Sequence, residues 1–320
     1  MKKFNFTKVL LPALTGCAFA LTIASCANAQ QPPDNIALGK TVTFNKNPSY
    51  ALCTDPDDKI QLTDGKLSSE GPLRNVENTT SIWVQKGTVG WGNTMPVVIT
   101  IDLGSVQPIS GVSYSTAAGR AGVVWPGAIY MATSDDNKTW HAAGDLVPLS
   151  KKNGTPPAEG YKAFKYVTHD LHTKGRYISF GVVQTPYAFV DEIEVYKGDD
   201  AWLNQPIPGE AVSSMENLVK QTIATSYAQR RLNDDNAAIR DEVKKSNISA
   251  SLKSTFMARL DKDAQATAQM QPLPADFKTI LPLNETHRDI LAVHGEVLAA
   301  EGTSPLTVWK LHRYAWLPLW

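Results

Sequence analysis

Three segments combine aromatic rings with hydrogen-bonding groups in stretches rich in turn formers. Gly90-Trp91-Gly92-Asn93 sets an indole and an amide between glycines. Gly119-Arg120-Ala121-Gly122-Val123-Val124-Trp125-Pro126 carries a guanidinium and a second indole, and Tyr187 and Phe189 add two rings just ahead of an alternating apolar run. An aromatic face covers the C–H side of a sugar ring, and a few convergent polar groups satisfy its hydroxyls. Trp91, Asn93, Arg120, Trp125, Tyr187 and Phe189 are therefore the ligand-binding candidates. For any one ring taken alone, packing of its loop against the body of the protein is the competing reading.

Residues that would do covalent or metal chemistry are not arranged for it. The sequence has no HExxH, no G-x-S-x-G, no Walker lysine loop and no paired CxxC. Of its six histidines, His169 and His172 flank Asp170-Leu171, while His287 and His294 stand seven apart on one expected helix with no third ligand beside them. His294 falls on the apolar stripe of that helix and reads as a packed, hydrogen-bonded side chain. Carboxylate pairs such as Asp191 with Glu194 are too common to mark a glycosidase. The acidic run Asp55, Asp57, Asp58 reads as a solvated loop. No catalytic residue is assigned, and the chain by itself reads as non-catalytic.

The N-terminus points to export. Lys2, Lys3 and Lys8 precede an uncharged run from Val9 to Ser25, and Ala27-Asn28-Ala29 supplies the small residues that a leader peptidase reads. Residues 1–29 are thus expected to be a signal peptide. Ile23-Ala24-Ser25-Cys26 and Leu14-Thr15-Gly16-Cys17 also resemble a bacterial lipobox, so a periplasmic or secreted product and a membrane-anchored lipoprotein both stay open. Cleavage after Ala29 leaves Cys53 as the one cysteine, which excludes an internal disulfide and favours a small buried apolar residue. Residues 1–29 hold three lysines and no acids, so the remainder has a net charge of −3. That balance offers no basic surface to neutralise phosphates, and nucleic acid is not an expected partner.

Two kinds of element must position the candidate residues. From Asn35 to Gly198 the runs Val97–Leu103, Ile109–Ser115, Ala128–Thr133, Phe164–Val167, Arg176–Val183 and Val190–Tyr196 are β-branched and partly alternating, with turn formers between them. Short strands so punctuated predict an antiparallel β-sandwich. Pro206, Pro208 and Gly209 then mark a linker over 199–211. A helical segment is expected over 212–303. Its first helix opens on the capping box Ser213-Ser214-Met215-Glu216 and continues to Val243. A second helix spans Leu252–Met270 with Phe256 and Leu260 inside. A third is capped by Asn284, with Ile290, Leu291, His294, Val297 and Leu298 on one face. Residues 304–320 crowd Trp309, Tyr314, Trp316 and Trp320 into a tail that either docks on the protein or leads into a further domain.

The β region resembles the discoidin (coagulation factor 5/8 type C) superfamily, which includes family 32 carbohydrate-binding modules. The matching pieces run in order over residues 33–198: Asn35–Lys40 as the opening strand, Leu62-Thr63-Asp64-Gly65-Lys66 as the "DG" turn, Trp83 as a core tryptophan, Ile99–Gly104 as the "DLG" strand, Ser134–Trp140 as the "SxDxxxW" hairpin, Gly175-Arg176-Tyr177-Ile178 as the strand before last, and Val190–Tyr196 as the closing strand. The resemblance implies a mainly β fold, a discoidin-like jelly roll followed by a small α-helical domain. It also implies a structural Ca2+ held by Asp64 and Glu192, with Ser69 and the carbonyls of Leu62 and Lys66 nearby. Lys66 and Ser69 depart from the residues usual in that turn, and capping of the turn by Asp64 with a salt bridge from Glu192 is the alternative. The resemblance also implies that loops at one end of the sandwich bind the ligand, with a glycan or polysaccharide as the partner, so the expected role is a carbohydrate-binding or adhesion protein. The alternatives are the N-terminal part of a larger secreted carbohydrate-active enzyme and an envelope protein–protein interaction module, with a protein partner met through the helical segment. Membrane contact is expected only through the lipid anchor.

Overall fold

The structure is a computed structural model that describes residues 34–68, 81–270 and 281–302. The segment expected as a signal peptide, Ser69 and the aromatic tail lie outside the described residues. Ten strands follow in chain order: β1 Val42–Phe44, β2 Val89–Gly92, β3 Val97–Ala118, β4 Ala128–Ser134, β5 Trp140–Asp145, β6 Lys162–Thr168, β7 Thr173–Val183, β8 Tyr187–Val190, β9 Glu192–Lys197 and β10 Ala211–Val212. Four helices are α1 Leu146–Leu149, α2 Met215–Lys245, α3 Ala250–Ala268 and α4 Leu281–Ala300. Among the described residues no helix is long and apolar enough to cross a membrane.

β3 builds both layers of the sandwich. Its first part pairs with β1 and β7, continuing the sheet through β4 and β5 to β10, and its second part pairs with β6 and β9. The two runs expected as separate strands, Val97–Leu103 and Ile109–Ser115, are thus one chain segment. It turns from layer to layer where its register on β7 shifts between Asp102 and Gln107. Gly104 makes that corner at φ 90°, its N–H donating to Asp102 Oδ1 at 2.8 Å. Arg176 grips the same carboxylate with Nε and Nη2 at 2.9 and 2.8 Å. Such a two-toothed pair fixes direction as well as distance. The inward residues of both layers, among them Ile99, Ile101, Tyr114, Ile129, Met131, Phe180 and Ile193, are fully buried. Trp83 and Trp140 are buried, but in clusters beside the main core: Trp83 at one end of the sandwich and Trp140 on the outer face of the sheet.

The closing run Val190–Tyr196 is divided at Asp191. β8 turns away to pair with β2, and β9 alone joins β3. Beyond the sandwich, Ala211 and Val212 return to the edge of β5 opposite His141 and Trp140. The chain then enters α2, capped by Ser214, whose Oγ accepts from Asn217 N–H at 3.1 Å. The cap sits one residue later than the box predicts, and Glu216 pairs with Lys220 instead. Met215 and Val219 of α2 bury Val98, Ala132 and Trp140 on the outer face of the sheet. Gly181 permits this close seat, because a Cβ there would meet Val219 at 2.3 Å. Further along, Ala228, Leu232, Ile239 and Val243 pack with Phe256 and Leu260 of α3 and with Ile290, Val293 and Val297 of α4. Asn284 falls inside α4, so it is not the cap of that helix.

Candidate functional site

The loops at one end of the sandwich, around Val97, Ala118 and Val183, are tied together by aromatic rings. Trp83, Tyr161 and Phe189 form a buried floor with Cys53, Ala117 and Ala118. Trp83 meets Tyr161 edge-on at 5.4 Å and Phe189 at 5.5 Å. Two half-buried tyrosines stand on this floor. Tyr50 crosses Phe189 at 4.8 Å and Tyr187 at 5.6 Å, both edge to face. Asn93 is exposed beside them, its N–H donating to Pro186 O at 2.7 Å, next to Tyr187. Ser49 Oγ accepts from Gly92 N–H at 3.2 Å. Trp125 is half-buried against the same cluster, with its Nε1 donating to Pro157 O at 2.9 Å. Arg120 projects from a tight turn in which Gly119 N–H donates to Val123 O and Val123 N–H donates to Arg120 O, both at 3.0 Å.

Trp91 and Phe189 do not reach a ligand. Both are fully buried. The segment Gly90-Trp91-Gly92 is strand β2, paired on β8, and not a loop. Trp91 fills the main core, edge-on to Phe44 at 5.3 Å, and its Nε1 donates to Lys46 O at 2.8 Å. Phe189 is directed to the other side of the strand pair, over Gly90, where a Cβ would lie 2.7 Å from its ring and from Cys53 Sγ. The glycines that suggest a loop are there to let a ring cross the backbone. Asn93, Arg120, Trp125 and Tyr187 remain at the surface of this end, and the structure adds Tyr50. In the sequence, Asn47-Pro48-Ser49-Tyr50 is a turn-forming stretch carrying an aromatic, the kind of signal used for the other loops.

Two residues beyond Phe189 stand the carboxylates Asp191 and Glu192, both buried. The turn at Asp64-Gly65 docks onto them. Gly65 N–H donates to Glu192 Oε1 and Ser68 N–H to Asp191 Oδ2, each at 3.1 Å. Glu192 Oε2 is buried and accepts no hydrogen bond among the described residues. Burial pushes the Glu192 carboxyl up to about 9 against the help of Gly65 N–H, and repulsion from Asp64, Glu194 and Asp191 adds to the rise. Asp64 caps its own turn, accepting from Lys66 N–H at 2.8 Å, and has Lys66 Nζ at 3.5 Å. Leu62 is buried in the short 3-10 turn Gln61–Thr63, and Lys66 is exposed. The salt bridge offered as an alternative for Glu192 is not formed by any described residue. No group of three or more His, Cys, Asp or Glu side chains among the described residues is spaced to hold a metal ion. A hard cation nonetheless suits the donors present: carboxylates crowded at one turn, with one buried oxygen lacking a donor.

Cys53 is a buried thiol, pushed up to about 12 mainly by burial and by the charge of Asp58. It packs as a small apolar residue under the ring of Phe189. The acidic run beside it is partly internal: Asp58 is buried and accepts from Asp55 N–H at 3.3 Å and Gln61 Nε2 at 2.9 Å. That segment shapes its own loop.

Residues 62–193 match the model of the F5/8 type C domain. The discoidin-like β-sandwich followed by helices is therefore the architecture of the chain. Solved structures similar to it include the module CpGH89CBM32-6 produced by Clostridium perfringens, at 18% identity and a TM-score of 0.32, covering 52% of this chain and 100% of that one. A fucose-binding module of Streptococcus pneumoniae is 15% identical, with a TM-score of 0.32, covering 52% and 98%. A chitosan-binding module 2 of a chitosanase/glucanase from Paenibacillus sp. IK-5, solved with chitotriose, is 18% identical, with a TM-score of 0.29, covering 51% and 99%. A search of curated proteins finds no match.

Proposed function

We propose that the F5/8 type C domain binds a carbohydrate at the aromatic end of the sandwich. The observation that carries this reading is the pair Tyr50 and Tyr187, half-buried and braced edge to face on the Phe189 floor. Rings held this way lose little freedom when a sugar stacks on them, and Asn93 and Arg120 offer the polar groups that select hydroxyls. Trp125 forms the far wall. A glycan-array screen of the protein, followed by titration calorimetry on the best ligand, tests it. Tyr187→Ala and Tyr50→Ala should each weaken binding roughly tenfold, with the folded circular dichroism spectrum retained and a modest drop in the unfolding midpoint. Unaltered binding in both variants would overturn the site.

Ca2+ is proposed as a structural ion at Asp64 and Glu192, with the carbonyls of Leu62 and Lys66 and the side chain of Ser69 as further oxygens. Bound there, it would supply the positive charge that the Glu192 carboxylate lacks. Export as a periplasmic, secreted or lipid-anchored protein is proposed from the pattern of residues 1–29 alone. A second reading, a protein-contact surface, has its own support. Leu52, Met95 and Val124 are apolar and 57%, 46% and 52% exposed in the loops of the aromatic end. If that reading is right, Leu52→Ser and Val124→Ser will abolish partner capture while the glycan array stays blank.

A further inference from the structure

The helical bundle holds a set of contacts that glycan binding does not use. His287 Nε2 lies 2.8 Å from Asp235 Oδ2, and His294 Nδ1 lies 2.5 Å from Glu242 Oε2. Each pair spans the same interval of 52 residues, and the partners on each helix are seven apart. Equal intervals mean that α2 and α4 run parallel, with one register repeated over two helical turns. Below this row lie the apolar contacts of Leu232, Ile239, Ile290, Val293 and Val297.

The surrounding charges leave the histidines facing acids. Asp235 also receives Arg231 Nε at 2.7 Å from its own helix. From α3, Arg259 reaches Asp289 at 2.7 Å and Glu296 at 2.8 Å, which occupies the acids on the histidines' own helix. Arg240 is taken by Asp261 at 2.5 Å on the seam between α2 and α3. Asp263 of α3 is buried, and its Oδ2 has no hydrogen-bond partner among the described residues. Burial and the nearby Asp289 push it up to about 6.

We infer that the row His287–Asp235 and His294–Glu242 is an acid-tightened latch, which clamps α4 onto α2 more firmly when the imidazoles are protonated. An imidazole exchanges its proton between about pH 5 and 8, a range in which ordinary carboxylates keep their charge. A protonated imidazole in either pair faces a carboxylate, so the hydrogen bond becomes an ion pair. Asp263 acts in the same direction, since taking up a proton removes its buried charge. The latch belongs to the bundle and does not depend on what the sandwich binds.

Thermal unfolding of the full chain, followed by helical circular dichroism at pH 5.5 and pH 8.0 in low salt, tests the latch. The wild type should melt higher at pH 5.5 by about 5 °C or more. The double variant His287→Gln/His294→Gln should lose a share of that rise, in the Glu192→Gln background as well, while Asp263→Asn should raise the pH 8.0 midpoint and keep the histidine share. If the double variant fails to form helix, His294→Gln, at the less buried position, should lose part of the rise by itself. A wild type with no rise on acidification overturns the latch. So does a double variant with the full rise, or Asp263→Asn alone abolishing it.

Discussion

Buried carboxylates in the sandwich stand at its margins, in the loop at Asp58 and where β8 gives way to β9, and leave the interior to Trp91, Tyr114 and Phe180. In the bundle, buried and half-buried ionisable side chains are strung along the seams themselves, at Asp263, His287 and Asp235. The contrast follows from how each region is built. Strands that pair over long sequence distances, such as Ile99 with Phe180 and Tyr114 with Ile193, close a deep core that excludes charge. Three helices enclose only a thin apolar seam, so polar side chains on its flanks decide register. One region therefore concentrates its polar chemistry at an end, where a ligand can reach it, and the other spreads it where it controls assembly.

The sharpest way to break this contrast is to open the deeper core. Trp91→Ala empties a fully buried site and should cost about 3–5 kcal/mol, read from denaturant unfolding. A loss near that of an exposed residue would mean that β2 and β8 are not part of the core. In the bundle, Leu260→Ala should cost about 2–5 kcal/mol, reduce the helical signal and leave glycan binding intact. Simultaneous loss of binding would show that the two regions do not stand apart energetically.

At the acidic turn the expected effect is smaller and depends on pH. The Glu192 carboxyl is raised from 4.5 to about 9. Its cost is absent below the lower value and complete above the upper one, so metal-free stability falls as pH climbs through that window. In chelator, Glu192→Gln should melt a few degrees above the wild type at pH 8. Millimolar calcium should then raise the wild type and leave the variant unmoved. A variant that responds equally would remove Glu192 from the ion's donors.

The smallest effect is expected at the hairpin. Asp136 accepts from the N–H groups of Thr139 and Lys138 and from the Ser134 hydroxyl, which hold it down to about 2. Its contribution is present above the ordinary carboxylate range and fades as pH falls through the folded value. Asp136→Asn should lower the melting point slightly at pH 7 and not at pH 2. A carboxyl titrating near 4 by NMR would contradict the cap.

Fold was legible in the sequence wherever alternation and turn chemistry agreed. Ile99-Thr100-Ile101-Asp102-Leu103-Gly104 and the hairpin before Trp140 are such places, because local preference and burial ask for the same residues. The helices were legible from the spacing of Phe256 and Leu260 and of Ile290 and Val297. The candidate site was harder to read. A tryptophan between glycines has two physical causes, a loop offering a ring and a strand crossed by a ring, and at Trp91 only the register on β8 separates them. Tyr50 was missed because its role depends on Phe189 and Tyr187, more than 130 residues away along the chain. Glu192 was assigned from resemblance, but its lone oxygen comes from tertiary packing that no local pattern encodes.

One helix serves both regions. α2 has 31 residues, about 46 Å of rise, and contains neither proline nor glycine. Its first turns are seated on the sheet by Met215 and Val219, and its later ones are the spine of the bundle. A beam clamped at both ends works as a strut, so a pull on the bundle reaches the sheet as torque on the Gly181 seat. A ligand on the aromatic rim would thereby be held at a set distance and bearing from the helices, as by a bracket rather than a tether.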